Sequence, residues 1–187
     1  MATESQSQIS IRFDFDPEKF VSAATYLTSR CPDMTKMKLF KLLFYADKHH
    51  LAEFGRPVIG DKYVKMEWGP VPSASYDIIK RRRDRDLLDR HLSVRGSRLI
   101  VQHEPDLDSL SDSDVQALDV VLREYGRKTA EELSDLSHLE QAWIQASDNG
   151  PMDYKLFFGE SPDEARMLEI VIEDQDLRNL AADVCVR

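Results

Sequence analysis

Four residues raise the question of chemistry: Asp47, His49 and His50 in the run ADKHH, and His138 in LSHLEQAW. Carboxylate and imidazole together can ligate a metal or move a proton. On a helix Asp47 and His50 lie three apart and share a face, while His49 and His50 diverge by about 100°. Asp47, His50 and His138 are the set a metal-dependent hydrolase would draw on, and it is incomplete. The second histidine of an H-x-x-x-H pair is missing, and no glutamate stands where a zinc protease needs its base. A helix that emerges into solvent near its end, with cations favoured by its dipole, accounts for the same residues without a ligand. Nucleophiles fare no better. There is no G-x-S-x-G, and neither Cys31 nor Cys185 has a histidine nearby in sequence. The seven glycines are scattered rather than gathered into a phosphate loop. The expectation is a non-enzymatic protein with no metal and no cofactor.

Binding chemistry is the stronger theme. Lys80-Arg81-Arg82-Arg83 with Arg85 is the sharpest basic run, spread around a helix and interleaved with Asp84, Asp86 and Asp89. A solvated helix end explains it; phosphate contact, aided by Arg95 and Arg98, is the functional alternative. Net charge is −9, divided unevenly: residues 1–105 hold 18 Lys+Arg against 14 Asp+Glu, and residues 106–187 hold 7 against 20. The acidic half repels phosphate but suits a basic partner protein. Lys48, His49, Arg81, Arg82 and Arg83 are the candidate partner contacts.

The elements that position these residues have clear punctuation. Asp16-Pro17 starts a helix carrying Phe20, Ala23, Ala24 and Leu27 on one face, and Pro32 ends it. Thr35 caps a second helix, through Leu39, Phe40, Leu42, Leu43, Phe44 and Ala46 to Gly55. It is apolar all round and so belongs at the centre of the core. After the Gly60-Asp61 turn, Val64, Met66 and Trp68 alternate with Lys65 and Glu67 as a strand with one buried face. Gly69-Pro70-Val71-Pro72 should not continue that strand, because proline offers no N–H to a ladder, though Pro72 suits the start of a helix bearing Tyr76, Ile79 and Leu87. Trp68 and Trp143 read as core anchors. Leu92–Val94 and Leu99–Val101 flank Arg95-Gly96-Ser97 as a hairpin. Ser111 caps a helix ended by Gly126, and S/T-x-x-E boxes at Thr129–Glu132, Ser137–Glu140 and Ser161–Glu164 start three more. The fold class is α+β, mostly α, with a short strand, a small hairpin and an element order that resembles a winged helix with helices added behind it. Residues 1–12 read as a disordered lead-in and 13–187 as one domain. Hydrophobic content of 42% is ordinary for a soluble globular protein, and no apolar run spans a bilayer. The cysteines have no metal-type spacing and read as reduced, buried thiols; a cytoplasmic protein is expected.

The run Leu42-Leu43-Phe44-Tyr45-Ala46-Asp47-Lys48, followed by Gly55, Gly60-Asp61, Tyr63, Trp68, Gly69-Pro70-Val71-Pro72 and Tyr76, resembles the Panacea domain family. This is the SocA-like group of bacterial and phage-associated proteins. Leu133-Ser134-Asp135-Leu136-Ser137-His138 with Trp143 is similar to the family's later Ser/Thr-His…Trp element. The resemblance implies a mostly helical antitoxin that neutralises a cognate toxin by direct contact. It further implies, for SocA-like members, an adaptor role toward a Clp-type protease. The matched glycines, prolines and apolar residues have structural jobs, so the motif reads as scaffold. A winged-helix-like DNA-binding regulator is the alternative.

Overall fold

A computed structural model of the protein describes residues 11–80 and 84–185. Helix α1, Pro17–Arg30, starts where Asp16 accepts the backbone N–H groups of Glu18 and Lys19. Helix α2, Lys36–Phe54, is capped by Thr35, which accepts from Lys38 N, and ends at Gly55 in the left-handed region (φ 71°). Leu39, Leu42, Leu43, Phe44, Ala46 and Leu51 of α2 are fully buried, each contributing roughly 1.5–3 kcal/mol of burial for the larger side chains. Helices α5 (Asp112–Tyr125), α6 (Ala130–Ser137), α1 and α8 (Pro162–Cys185) pack around α2, which is the central element that its all-round apolarity requires. The architecture is α+β and mostly α, with two small antiparallel hairpins.

The first hairpin departs from the sequence expectation. Strands β1 (Tyr63–Met66) and β2 (Gly69–Pro72) pair across a turn at Glu67-Trp68, so the Gly-Pro-Val-Pro corner is itself a strand. Its prolines are tolerated because of register. Ser73 N–H donates to the Lys62 carbonyl (3.0 Å), which places the hydrogen-bonded pairs at Val64–Val71 and Met66–Gly69. Pro70 and Pro72 fall on the alternate positions, whose N–H the ladder does not use. The far edge of β1 is covered by residues 149–152: Lys65 N–H donates to Gly150 O (2.9 Å) and Met152 N–H to Tyr63 O (2.9 Å).

The phase of β1 is also reversed. Tyr63 is buried and Lys65 lays its stem inward, while Met66 is exposed. A lysine stem that covers apolar surface outcompetes a methionine for the inner face, which alternation of residue type alone does not reveal.

Beyond β2, α3 (Ser73–Ile79) and α4 (Arg85–Asp89) are separate helices, so Tyr76 and Leu87 do not share one. Strands β3 (Leu92–Arg95) and β4 (Arg98–Val101) form the expected hairpin, and Ser97 O accepts from Lys36 N at the start of α2 (2.8 Å). Ser111 and Thr129 make complete capping boxes with Asp114 and Glu132. Ser137 does not cap. It ends α6, donates to Ser134 O (2.7 Å) and is fully buried, and α7 (Gln141–Gln145) begins at Glu140 instead. Ile11 is buried and Arg12 N–H donates to Gln175 Oε1 (2.9 Å), so contacts with the domain begin inside the segment read as a lead-in. Among the described residues no helix is long and apolar enough to cross a membrane.

Candidate functional site

Beneath the hairpin lies a frame of buried polar groups built from the Leu42–Tyr76 motif. Asp47 and His50 are fully buried, which corrects the expectation of a helix end emerging into solvent. The chain folds back after Gly55, so the last turns of α2 are roofed by residues 56–61. Asp47 accepts from Ile59 N–H (2.9 Å) and Tyr63 OH (3.1 Å). Burial pushes its carboxyl up to about 7, against the lowering effect of those two donors. Asp61 accepts from Ala74 N–H, Ser75 N–H and Ser75 Oγ, and its own carbonyl accepts from Tyr154 OH (2.6 Å). Together Asp47 and Asp61 fasten α2, the hairpin and α3 to one another.

His50 belongs to a different cluster. Its Nδ1 meets Arg56 O (2.6 Å), and its Nε2 meets Ser113 Oγ (3.0 Å) and Asp114 Oδ1 (3.2 Å). Asp114 also accepts from Lys19 Nζ (2.7 Å), Arg56 Nη1 (2.8 Å) and Ser111 N–H. His138 instead caps α6 and stacks on Trp143, with ring centroids 4.2 Å apart. The structure therefore does not bring Asp47, His50 and His138 together. Among the described residues no group of three His, Cys, Asp or Glu could hold a metal ion.

Gly69 marks the closest approach. Its φ of 91° favours glycine, and a Cβ there would lie 2.2 Å from Ser137 Oγ and 2.7 Å from Lys41 Cε. Lys41, 1% exposed, donates to Pro70 O (2.9 Å), and burial pushes its ammonium down to about 7. Sequence reasoning passed over this lysine because a single charge inside an apolar helix gives no hint of the carbonyl waiting for it. Asp114 was legible in part, since Ser111-x-x-Asp114 has capping-box spacing.

Two accessible surfaces rest on this frame. The first is apolar. Trp68 is 60% exposed at the hairpin turn, which overturns its reading as a core anchor: the strand ends at Met66, and the turn carries the indole outward. Met66 is 41% exposed, and at the α6–α7 junction Leu139 is 72% and Ile144 49% exposed. Trp143, half-buried, ties these elements together. Its Nε1–H donates to Met66 O (3.2 Å), and Lys65 Nζ sits 4.3 Å from its ring centroid.

The second surface is a cleft of about 580 Å³ between α2, α5 and the start of α8. Lys48 and His49 line it, opposite Glu124 and Tyr125 of α5, Glu140, and Asp163 and Glu164 of α8. Lys48 is ion-paired with Glu140. Two of the five candidate partner contacts thus share one cleft, and it is an acidic one. Arg81, Arg82 and Arg83 lie outside the described residues.

A family model described as antitoxin SocA-like, Panacea domain, matches residues 39–144, more than half of the chain. The chain belongs to the SocA-like antitoxin family. Neither the curated proteins nor the solved structures provide a match. The Panacea segment runs from within α2 to within α7, and so contains the hairpin, the buried Asp47 and Asp61, and all four exposed apolar residues of the first surface. It supplies the α2 and α5 sides of the acidic cleft, whereas the α8 side lies beyond it. As a SocA-like antitoxin the protein has a toxin as its expected partner, which directs attention to these two surfaces rather than to the buried polar groups.

Proposed function

We propose that this SocA-like antitoxin neutralises its toxin by direct contact, holding it on the surface formed by the β1–β2 turn and the α6–α7 junction. The exposure of Trp68 and Met66 at the turn, and of Leu139 and Ile144 on the α6–α7 junction that Trp143 ties to Met66, carries the reading. Large apolar side chains gathered on the surface of a soluble domain mark a protein contact, and tryptophan is the commonest anchor of such contacts. The partner is the toxin because that is what the family binds. The proline-braced β2 and the Trp143 clamp hold the turn in place, so little ordering is left to be done on binding.

Co-expression with the product of the adjacent gene tests this. Trp68→Ala should weaken the complex by about 30-fold or more, the range of an anchor residue, and abolish rescue of growth. Thermal stability should be nearly unchanged, since the indole is mostly in solvent. A complex of unaltered affinity would remove this surface from consideration. In a SocA-like adaptor the captured toxin then passes to a Clp-type protease. The toxin's half-life should accordingly shorten in the antitoxin's presence and recover when the protease is deleted.

A groove on another face supports DNA binding as a second reading. Lys36, Lys38, Arg98, Arg127 and Lys128 line a space of about 580 Å³ beside the β3–β4 turn, with Asp33 and Glu131 as the acidic members. Arg98 is paired with Asp33 (3.0 Å) and Lys38 donates to Gly126 O (2.7 Å), which reduces the charge on offer. DNA binding through this groove would weaken steeply with salt. A mobility shift at low salt that Arg127→Glu with Lys128→Glu eliminates would establish it, and no retardation would dismiss it.

A further inference from the structure

We propose that the acidic cleft is the seat of an arginine side chain contributed by the partner protein, a reading that rests on the partner-binding function proposed above. The cleft combines unneutralised carboxylates with an aromatic floor. Among the described residues no ion pair engages Glu53 or Asp163, and Glu124 reaches only its neighbour Arg123, at 4.0 Å. Lys48 is held by Glu140 and its charge also reaches Glu164, which leaves Glu53, Glu124 and Asp163 as the carboxylates on offer.

The floor is a stacked pair. Tyr45 and Tyr125 lie with ring centroids 4.4 Å apart and planes within 12°. Tyr45 is 5% exposed and lines the cleft, yet its hydroxyl forms no hydrogen bond with any described residue. The other buried tyrosines are engaged: Tyr63 donates to Asp47, Tyr154 to Asp61 O, and Tyr26 to Asp119 Oδ1 (2.6 Å). Tyr45 therefore holds an unused acceptor and donor at the bottom of an acidic recess.

The chemistry that satisfies all of this is a guanidinium. It is planar, weakly hydrated and always charged, it stacks on aromatic faces, and it carries five N–H donors for several carboxylates and a phenol oxygen at once. A lysine ammonium would meet the carboxylates but not stack, and a phosphate would be repelled. The strongly acidic character of residues 106–187 adds attraction at longer range, drawing a basic segment toward the cleft before contact. Glu140 lines the cleft next to the exposed Leu139, so a toxin lying on the Trp68 surface has the cleft within its reach.

The test uses the full chain and a peptide probe, the amide of acetyl-Gly-Gly-Arg-Gly-Gly, with the same peptide carrying citrulline as its uncharged isostere. The ring resonances of Tyr45 and Tyr125 are followed by NMR at low salt. The arginine peptide should shift both rings saturably and bind at least ten-fold more tightly than the citrulline peptide. Glu124→Gln with Asp163→Asn should weaken it five-fold or more. No saturable shift, an equal response to citrulline, or shifts scattered over the acidic half without emphasis on the two tyrosines would each overturn the proposal. The citrulline comparison needs no variant, so it stands even if the double variant misfolds. Failure here with toxin capture still dependent on Trp68 removes the cleft alone. Seating of the arginine peptide with no toxin complex removes the toxin reading and leaves the cleft.

Discussion

Replacing Asp47 by alanine is expected to destabilise the fold by about 3 kcal/mol or more, because it leaves Ile59 N–H and Tyr63 OH buried without an acceptor. Replacement by asparagine should behave in the opposite way at neutral pH. The Asp47 carboxyl titrates at about 7 in the fold against 3.8 in the unfolded chain, so its contribution is fully present below pH 3.8 and declines as pH rises toward 7. That interval corresponds to a loss on the order of 4 kcal/mol. Asparagine keeps an acceptor for Ile59 and never ionises, so Asp47→Asn should flatten most of the decline and exceed the parent in stability at pH 8. Burial also raises Asp61, in the same direction, and it should account for a smaller residual slope. Urea unfolding of both variants between pH 4.5 and 8 measures this directly. An unchanged pH slope in the asparagine variant would show that Asp47 is ionised in the fold at neutral pH.

Asp114→Ala is expected to cost about 3 kcal/mol, since it removes the shared acceptor of Lys19, Arg56 and the Ser111 N–H and withdraws a partner from His50. The cluster joins α1, α2 and the start of α5, and so sets the position of the α5 wall of the acidic cleft. Burial alone would raise this carboxyl, but the hydrogen bonds from Arg56, Lys19 and Ser111 outweigh it and hold the group at about 2. A lowered folded value means stability that is present above pH 3.8 and lost as pH falls toward 2. Arg56 is 40% exposed, so solvent screening reduces that contribution to roughly 1–2 kcal/mol. Asp114→Asn should retain much of the hydrogen bonding while removing the acid-side decline. Unfolding followed between pH 2 and 5 separates the two effects, and an acid limb identical in parent and asparagine variant would place its origin elsewhere.

These two aspartates differ in how far sequence exposes them. Asp114 sits three residues after Ser111, and that spacing announces a helix start before any tertiary contact is known. Asp47 offers no such sign. Within three residues of His50 it looks like half of a metal or acid–base site, and only the fold-back after Gly55 shows that its partners are a backbone N–H and a phenol. Trp68 shows the same gap in reverse. Its residue type favours the interior, yet the strand ends two residues before it.

What the sequence determined by itself is the local grammar. Asp16, Thr35, Ser111 and Thr129 start helices, Gly55 stops one, the β3–β4 hairpin closes around Gly96, and the apolar α2 takes the centre. Each of these depends on hydrogen bonds or burial within a few residues, so residue type and spacing suffice. The motif residues that identify the family belong to the same class. Tertiary structure alone decided the rest: that Gly69–Pro72 is a strand, that Ser137 is a buried contact of Gly69 rather than a cap, that Asp47 and His50 are interior, and that Trp68 faces solvent. It also decided that carboxylates from α2, α5 and α8 surround a pair of stacked tyrosines. Those outcomes depend on register and on contacts between residues far apart in the chain, and neither is encoded in the type of any one residue.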